Sequence, residues 1–457
     1  MQLARRGTVT VVAGSGERLV PPINLRLPPV RHVTFSALAR LYSNATKMDM
    51  QAVTDDGGFM SARPIWLCFC LILLWTTPMK EAGAAIEMSR LVREAAEAEL
   101  RQSGVPSLQI AVARDGQVIF EGAYGWADLE RNVAATVHSK YRTASVSKWL
   151  TSTAAMILVE RGKLHLDAPI QRYCAHFSEK AWPITTRHLL GHESGIRHEV
   201  DYEAAILTAR DDGSRLALER RRDRELLSEY TRYTDVVQPL AIFEEDPLVF
   251  EPGANWLYSS PGYRVVGCIL EGASTRPYDE LMHELIFAQL RMEDTLPDDA
   301  WAIIPHRAAG YRLERGRPLR RAEMTDVSGN LPAGGHLSTA TDLVRFADAF
   351  VTGKLLSEAT IALMLPGVGS SGPREEAWRD AIPARENYGY GVMGFPSIGR
   401  RWIGHTGRQP GASAIVIASP EKRLSIAVLT NAKGWNGYIS FVDRLRAIVE
   451  STEPSPE

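Results

Sequence analysis

From Ile86 onward, apolar and polar positions follow clear periods. Leu91, Val92, Ala95, Ala96 and Leu100 recur at helical spacing, which predicts an amphipathic helix over Ile86 to Ser103, ended by Gly104-Val105-Pro106. Two apolar runs, Leu108 to Ala113 and Val118 to Ala123, flank Arg114-Asp115-Gly116, the turn signal of an antiparallel hairpin. Near the other end, Ala412 to Ala418 and Leu424 to Thr430 flank a turn at Ser419 to Arg423, and Gly437 to Ser451 reads as a closing helix. Both of these strands are apolar at almost every position, as in a sheet covered on both faces. The terminal helices are candidates for one cover. The expected fold class is α+β, an antiparallel sheet flanked by the terminal helices and joined to a mainly helical lobe.

That lobe is predicted from the middle of the chain, with helices over Lys148 to Arg161 and Ser338 to Gly353, broken by Gly and Pro. The stretch His198 to Pro247 is strongly charged and contains Glu219-Arg220-Arg221-Arg222-Asp223-Arg224-Glu225. It reads as a solvated helix, with a lid that selects acidic ligands as the alternative. No internal repeat is present, and the tail 452–457 is polar and expected to be disordered.

Residues 1–84 read as a leader. From Met60, a basic start at Arg63, an apolar run from Ile65 to Trp75 and the small-residue site Ala82-Gly83-Ala84 have the form of a signal peptide, with translation expected to begin at Met60. The run of about 11 residues falls short of the roughly 20 a spanning helix needs. The expectation is export to a periplasmic or extracellular compartment, with no stable membrane span after leader removal. A mitochondrial or membrane-anchored chain is the alternative if the leader is retained. Residues 85–451 then form one domain, with 198–247 as a charged insertion.

Composition narrows the function classes. Over 457 residues, 45% hydrophobic and 23% charged content match a folded globular protein. A net charge of −2 gives no global field towards nucleic acid, which is not an expected partner. The chain has four cysteines, and Cys174 and Cys268, the two beyond the leader, are expected as buried free thiols. His192-Glu193, His198-Glu199 and His283-Glu284 each begin like a zinc-protease helix but lack the second His, so neither a metal nor another cofactor is expected. There is also no Gly-X-Ser-X-Gly elbow.

Ser145-Val146-Ser147-Lys148 is the informative segment. Serine and lysine three apart on a helix share one face, so the amine can take the proton a hydroxyl must lose to become a nucleophile. Ser419 and Lys422 have the same spacing, but they sit in a strand-to-strand turn with Pro420. Ser145 instead opens a helix that is apolar almost all round, where the helix start can stabilise an oxyanion. Tyr258, in Trp256-Leu257-Tyr258-Ser259-Ser260, lies on a tight loop before a helix predicted over Val265 to Glu271. His405-Thr406-Gly407-Arg408 follows a short strand, Trp402 to Gly404, and Gly407 would let a ligand backbone approach closely.

Taken together, in this order, the three segments resemble the serine β-lactamase-like hydrolases, the group of class C β-lactamases, D-alanyl-D-alanine carboxypeptidases and related esterases. The resemblance spans about Met88 to Val449 and includes Leu189-Leu190-Gly191-His192-Glu193-Ser194-Gly195 and Ala333-Gly334-Gly335-His336. Ile184 to Arg187, Ser194 to His198 and Asp246-Pro247-Leu248 are similar to the mitochondrial serine β-lactamase-like branch, whose filaments make a homo-oligomer compatible with the resemblance. The resemblance implies a β-lactamase/transpeptidase-like fold, Ser145 as acylated nucleophile, Lys148 as its partner, Tyr258 as proton shuttle and His405 as the residue that orients substrate and tunes the electrostatics of Tyr258 and Lys148. It further implies an oxyanion hole from the amides of Ser145 and Arg408, and substrate binding by Ser260, Thr406 and Gly407. Ser260 stands where Asn is common, His405 where β-lactamases carry Lys, and Glu193 where Thr is usual. Neutral imidazole supplies no fixed charge for a carboxylate, so a small peptide or ester is the expected substrate rather than a β-lactam. β-Lactam hydrolysis, or a non-catalytic scaffold or sensor that keeps the pocket, is the alternative.

Overall fold

The computed structural model describes residues 63–198, 200, 202–367, 385–399 and 401–452. The leader expectation over 1–62 and most of the disordered-tail expectation lie outside the described residues. In chain order, the helices that frame the site are α1 (Arg63–Ser103), α2 (Val146–Glu160), α3 (Asp212–Ser228), α4 (Ser260–Ser274), α5 (Ala340–Val351) and α6 (Tyr438–Ser451). The strands of the main sheet are β1 (Ser107–Arg114), β2 (Gln117–Asp128), β3 (Val133–Ala134), β4 (Met393–Gly394), β5 (Ile403–Gln409), β6 (Ala412–Ser419) and β7 (Leu424–Thr430). They pair antiparallel in the order β3-β2-β1-β7-β6-β5-β4, so the two ends of the chain meet where β1 pairs with β7.

Side-chain alternation explains why the strands are apolar throughout. Leu108, Ile110 and Val112 of β1, Ile415 and Ile417 of β6, and Ile426 and Val428 of β7 face one core, which Val92 of α1 and Phe441 and Leu445 of α6 complete. The intervening Ala111, Ala113, Ala414, Val416, Ala418 and Ala427 face a second core with Trp149 of α2 and Phe346 and Phe350 of α5. Small side chains on this face let α5 lie close against the sheet. The α+β architecture expected from the sequence is therefore the one observed, with the terminal helices as one cover. The β1–β2 hairpin closes through Asp115 and Gly116, both at positive φ (50° and 83°), as a two-residue turn demands.

Several boundaries differ from the sequence expectations. Helix α1 begins at Arg63 and runs through Ala84, where a cleavage site was expected. Strand β5 carries the whole His405 to Arg408 segment instead of ending before it, because it pairs with β6 along its full length. Helix α4 begins at Ser260, capped by Ser259 Oγ accepting from Gly262 N at 2.9 Å. Cys174 and Cys268 form a disulfide instead of two free thiols, their Cα atoms 5.4 Å apart across a separation of 94 residues. Among the described residues, no helix is long and apolar enough to cross a membrane.

Candidate active site

Ser145 sits at the sharp turn where the chain passes from Tyr141–Arg142, which pairs with His336–Ser338, into α2. Thr143 N donates to His336 O at 2.9 Å, and Thr143 Oγ1 bonds Ser147 Oγ at 2.9 Å, fixing the turn from both sides. Ala144 is held at φ 46°, an unusual conformation for a residue with a Cβ. This turn leaves Ser145 half-buried and its amide without a hydrogen bond among the described residues. Strand β5 passes directly behind it. A Cβ on Gly407 would lie 2.2 Å from Thr143 O and 3.0 Å from Ser145 N, so the chain segment that needs this glycine is the nucleophile turn itself.

Lys148, fully buried one turn into α2, places its Nζ 3.0 Å from Ser145 Oγ, 3.0 Å from Ser260 Oγ and 2.9 Å from Ala333 O. Three neutral oxygens thus receive the amine. Tyr258 also bonds Ser145 through its hydroxyl, and its ring lies 4.9 Å from Lys148 Nζ. Burial pushes the Tyr258 phenol above its ordinary range, and the bond to Ser145 offsets only part of this, so the phenol holds its proton at neutral pH. The decoy pair behaves differently: Lys422 Nζ is engaged by Glu450 at 2.7 Å.

His405 is fully buried, its Nδ1 2.6 Å from Thr406 O and its Nε2 3.0 Å from Tyr388 OH. A carbonyl only accepts, so Nδ1 carries the proton and Nε2 accepts from Tyr388. Burial, reinforced by the Lys148 charge, brings the His405 pKa down to about 3. The ring is neutral with both nitrogens occupied. In this arrangement neither ring nitrogen of His405 is left to contact a ligand directly. His192 packs 4.3 Å from the Tyr258 ring and 4.7 Å from that of Tyr388, and accepts from Ser259 N at 3.0 Å. Neither His192 nor Tyr388 was singled out from the sequence as a site residue. The run Asn387-Tyr388-Gly389-Tyr390-Gly391 held the signal, tyrosines set between glycines that permit close packing.

A cavity of about 380 Å³ opens over Ser145, walled by Ser260, His198, Arg264, Asn330 and Arg408 among others. Ser145, Ser260 and Arg408 therefore reach the cavity, with Lys148 and Tyr258 beneath. Two expected substrate contacts do not line it. Thr406 is buried with its Oγ1 towards Met393 sulfur at 3.7 Å, and Gly407 abuts the nucleophile turn. The charged segment forms α3, none of whose residues is buried, yet its last turn brings Glu225 and Ser228 to the cavity wall.

The family model described as Beta-lactamase matches residues 89–450. The serine beta-lactamase-like protein LACTB, mitochondrial, of Homo sapiens is 28% identical over 408 residues, 74% of this chain and 72% of that protein. Among solved structures, the D-amino acid amidase from Ochrobactrum anthropi SV3 complexed with D-phenylalanine superposes with a TM-score of 0.63 at 21% identity, covering 80% of this chain and 100% of that one. EstCE1, a hydrolase with promiscuous acyltransferase activity, gives a TM-score of 0.60 at 20% identity over 80% and 99% of the two chains. The mitochondrial designation of the human relative and its mouse and bovine counterparts overturns the expectation of export.

Proposed function

Because the chain belongs to the Beta-lactamase family, we propose that it is a serine hydrolase that forms an acyl-enzyme on Ser145 and cleaves a peptide or ester bond. The observation that carries this reading is one hydroxyl, Ser145 Oγ, held by the Lys148 amine at 3.0 Å and bonded by Tyr258 under an open cavity. The scissile carbonyl enters with its oxygen towards the amides of Ser145 and Arg408, which stabilise the charge that develops there. In the reactive form the Lys148 and Tyr258 pair is one proton short, so Ser145 Oγ attacks the carbonyl carbon and gives its proton to that pair, which acts as one coupled unit. The same pair delivers that proton to the departing nitrogen or oxygen. Water, deprotonated by the pair, then attacks the acyl carbon and returns Ser145 to its resting state.

A β-lactamase reading finds less support. The strand position where β-lactamases carry Lys holds the neutral His405, whose pKa of about 3 leaves no charge to bind a lactam carboxylate at pH 7. A scaffold that only binds at the cavity needs no hydroxyl poised between an amine and a phenol. Turnover of a peptide and ester library by native protein and Ser145→Ala separates these readings. The variant should lose at least about a thousandfold in kcat while keeping its thermal stability. Native-rate turnover by Ser145→Ala would remove the proposal.

A further inference from the structure

A buried imidazole behind the nucleophile takes no part in the chemistry just described. His336, Thr143 and Ser147 are each fully buried, and none of the three lines the cavity over Ser145. They form a ring of hydrogen bonds whose directions are forced. Thr143 Oγ1 donates to His336 O at 3.0 Å, because a carbonyl only accepts. A hydroxyl carries one proton, so the 2.9 Å bond between Thr143 Oγ1 and Ser147 Oγ is donated by Ser147. Ser147 has then spent its own proton, and the 3.1 Å bond to its Oγ is donated by His336 Nδ1. The ring therefore starts on the His336 imidazole and closes on the carbonyl of the same residue, which also accepts from Thr143 N at 2.9 Å.

This network fixes the tautomer. With the proton on Nδ1, Nε2 is a bare lone pair, and it has no hydrogen-bond partner among the described residues. Phe287 and Tyr278 pack beside the imidazole, with ring centres 5.7 and 6.0 Å away. An imidazolium would bury a second N–H with no acceptor, so the group serves as a neutral donor of one bond. A leucine would fill the same apolar surroundings without an unpaired nitrogen. What the imidazole adds is the Nδ1 donor to Ser147.

Thr143 and Ser147 stand two residues before and two residues after Ser145. The bonds they share with His336 thus span the nucleophile turn, whose Ala144 is held at φ 46°, a conformation that persists only where the surroundings impose it. Gly407 of β5 bounds the same turn from the other strand.

We infer that His336 is a positioning residue for the nucleophile: its Nδ1–H holds Ser147 and, through it, Thr143, so that Ser145 Oγ stays within reach of Lys148 and the oxyanion amides. This rests on the serine-hydrolase reading above. Because His336 lies outside the cavity, it acts on the rate of attack and not on binding.

Inactivation by a fluorophosphonate over a range of concentrations separates those two effects, as kinact and KI. His336→Leu should lower kinact at least about tenfold with KI unchanged, since a small misplacement of the attacking atom is costly. His336→Asn, whose amide N–H can stand in for Nδ1–H, should recover part of that loss. Ser147→Ala should lower kinact likewise, and adding His336→Leu to it should cost nothing more, because the imidazole acts through that hydroxyl. Native kinact in folded His336→Leu, an Asn variant no better than Leu, a loss carried entirely by KI, or losses that multiply in the double variant would each overturn the proposal. If His336→Leu does not fold, the kinact of Ser147→Ala, which keeps the imidazole, decides. Failure of the underlying reading shows separately, as native protein that the fluorophosphonate does not label.

Discussion

At the residue scale, the geometry rests on hydrogen bonds whose direction is forced. Burial and the Lys148 charge keep the His405 imidazole neutral, and Tyr388 donates to the Nε2 lone pair of that neutral ring. Tyr388→Phe would leave that lone pair buried and unpaired at a cost of about 1–3 kcal/mol. Since the lost bond favoured the neutral ring, the His405 pKa should rise from about 3, and the acid limb of kcat/KM against pH should move to higher pH. An acid limb that does not move would show that His405 has no electrical influence on the reacting groups. The Ser145 and Lys148 pair was legible because a local spacing on a predicted buried helix is enough to bring the two groups together. The bonds of Tyr388 and His336 were not, since the partner of each is fixed only by packing of segments distant in sequence. Thr406 shows the converse failure: a motif names a residue, but strand alternation decides which way its side chain turns.

At the element scale, the site is the meeting of the start of α2, the loop before α4 and the strand β5. The closest of these contacts is between β5 and the nucleophile turn, where Gly407 leaves no room for a Cβ. Gly407→Ala should therefore push Thr143 to Ser145 away from the strand, lowering kcat at least about tenfold and reducing Tm. Unchanged kcat in a folded Gly407→Ala protein would mean that the strand does not set the position of Ser145. The terminal strands and helices were readable from periodicity, because both sheet faces are covered and the apolar runs are unbroken. Boundaries were less so. Pairing with β6 extends β5 through a polar, glycine-containing stretch that reads as a loop in isolation, and a Pro at the second position of α4 hides its true start.

At the scale of the whole molecule, three imidazoles, His192, His336 and His405, are buried in the interior and a fourth, His198, is half-buried on the cavity wall. Burial brings His198, His336 and His405 down to about 3 and His192 well below its usual value. Their folded pKa values lie below those of the unfolded chain, so this stability is present above about pH 6.5 and is lost as pH falls towards 3. Asp342 acts in the opposite sense, since burial raises it to about 6 and its contribution is lost as pH rises through that value. Near pH 5 these groups together take up about three protons on unfolding, a slope of roughly 4 kcal/mol per pH unit. Tm should fall steadily between pH 7 and pH 5, and a flat or rising Tm would contradict the burial of these rings. Compartment, by contrast, was misread from the sequence: an apolar run with a small-residue site has the form of an export signal whether or not it acts as one. The central claim concerns a single bond. Native protein treated with a fluorophosphonate should gain one adduct mass on the peptide containing Ser145, with none on Ser145→Ala; an unmodified native chain, or an adduct mapped to another serine, would contradict it.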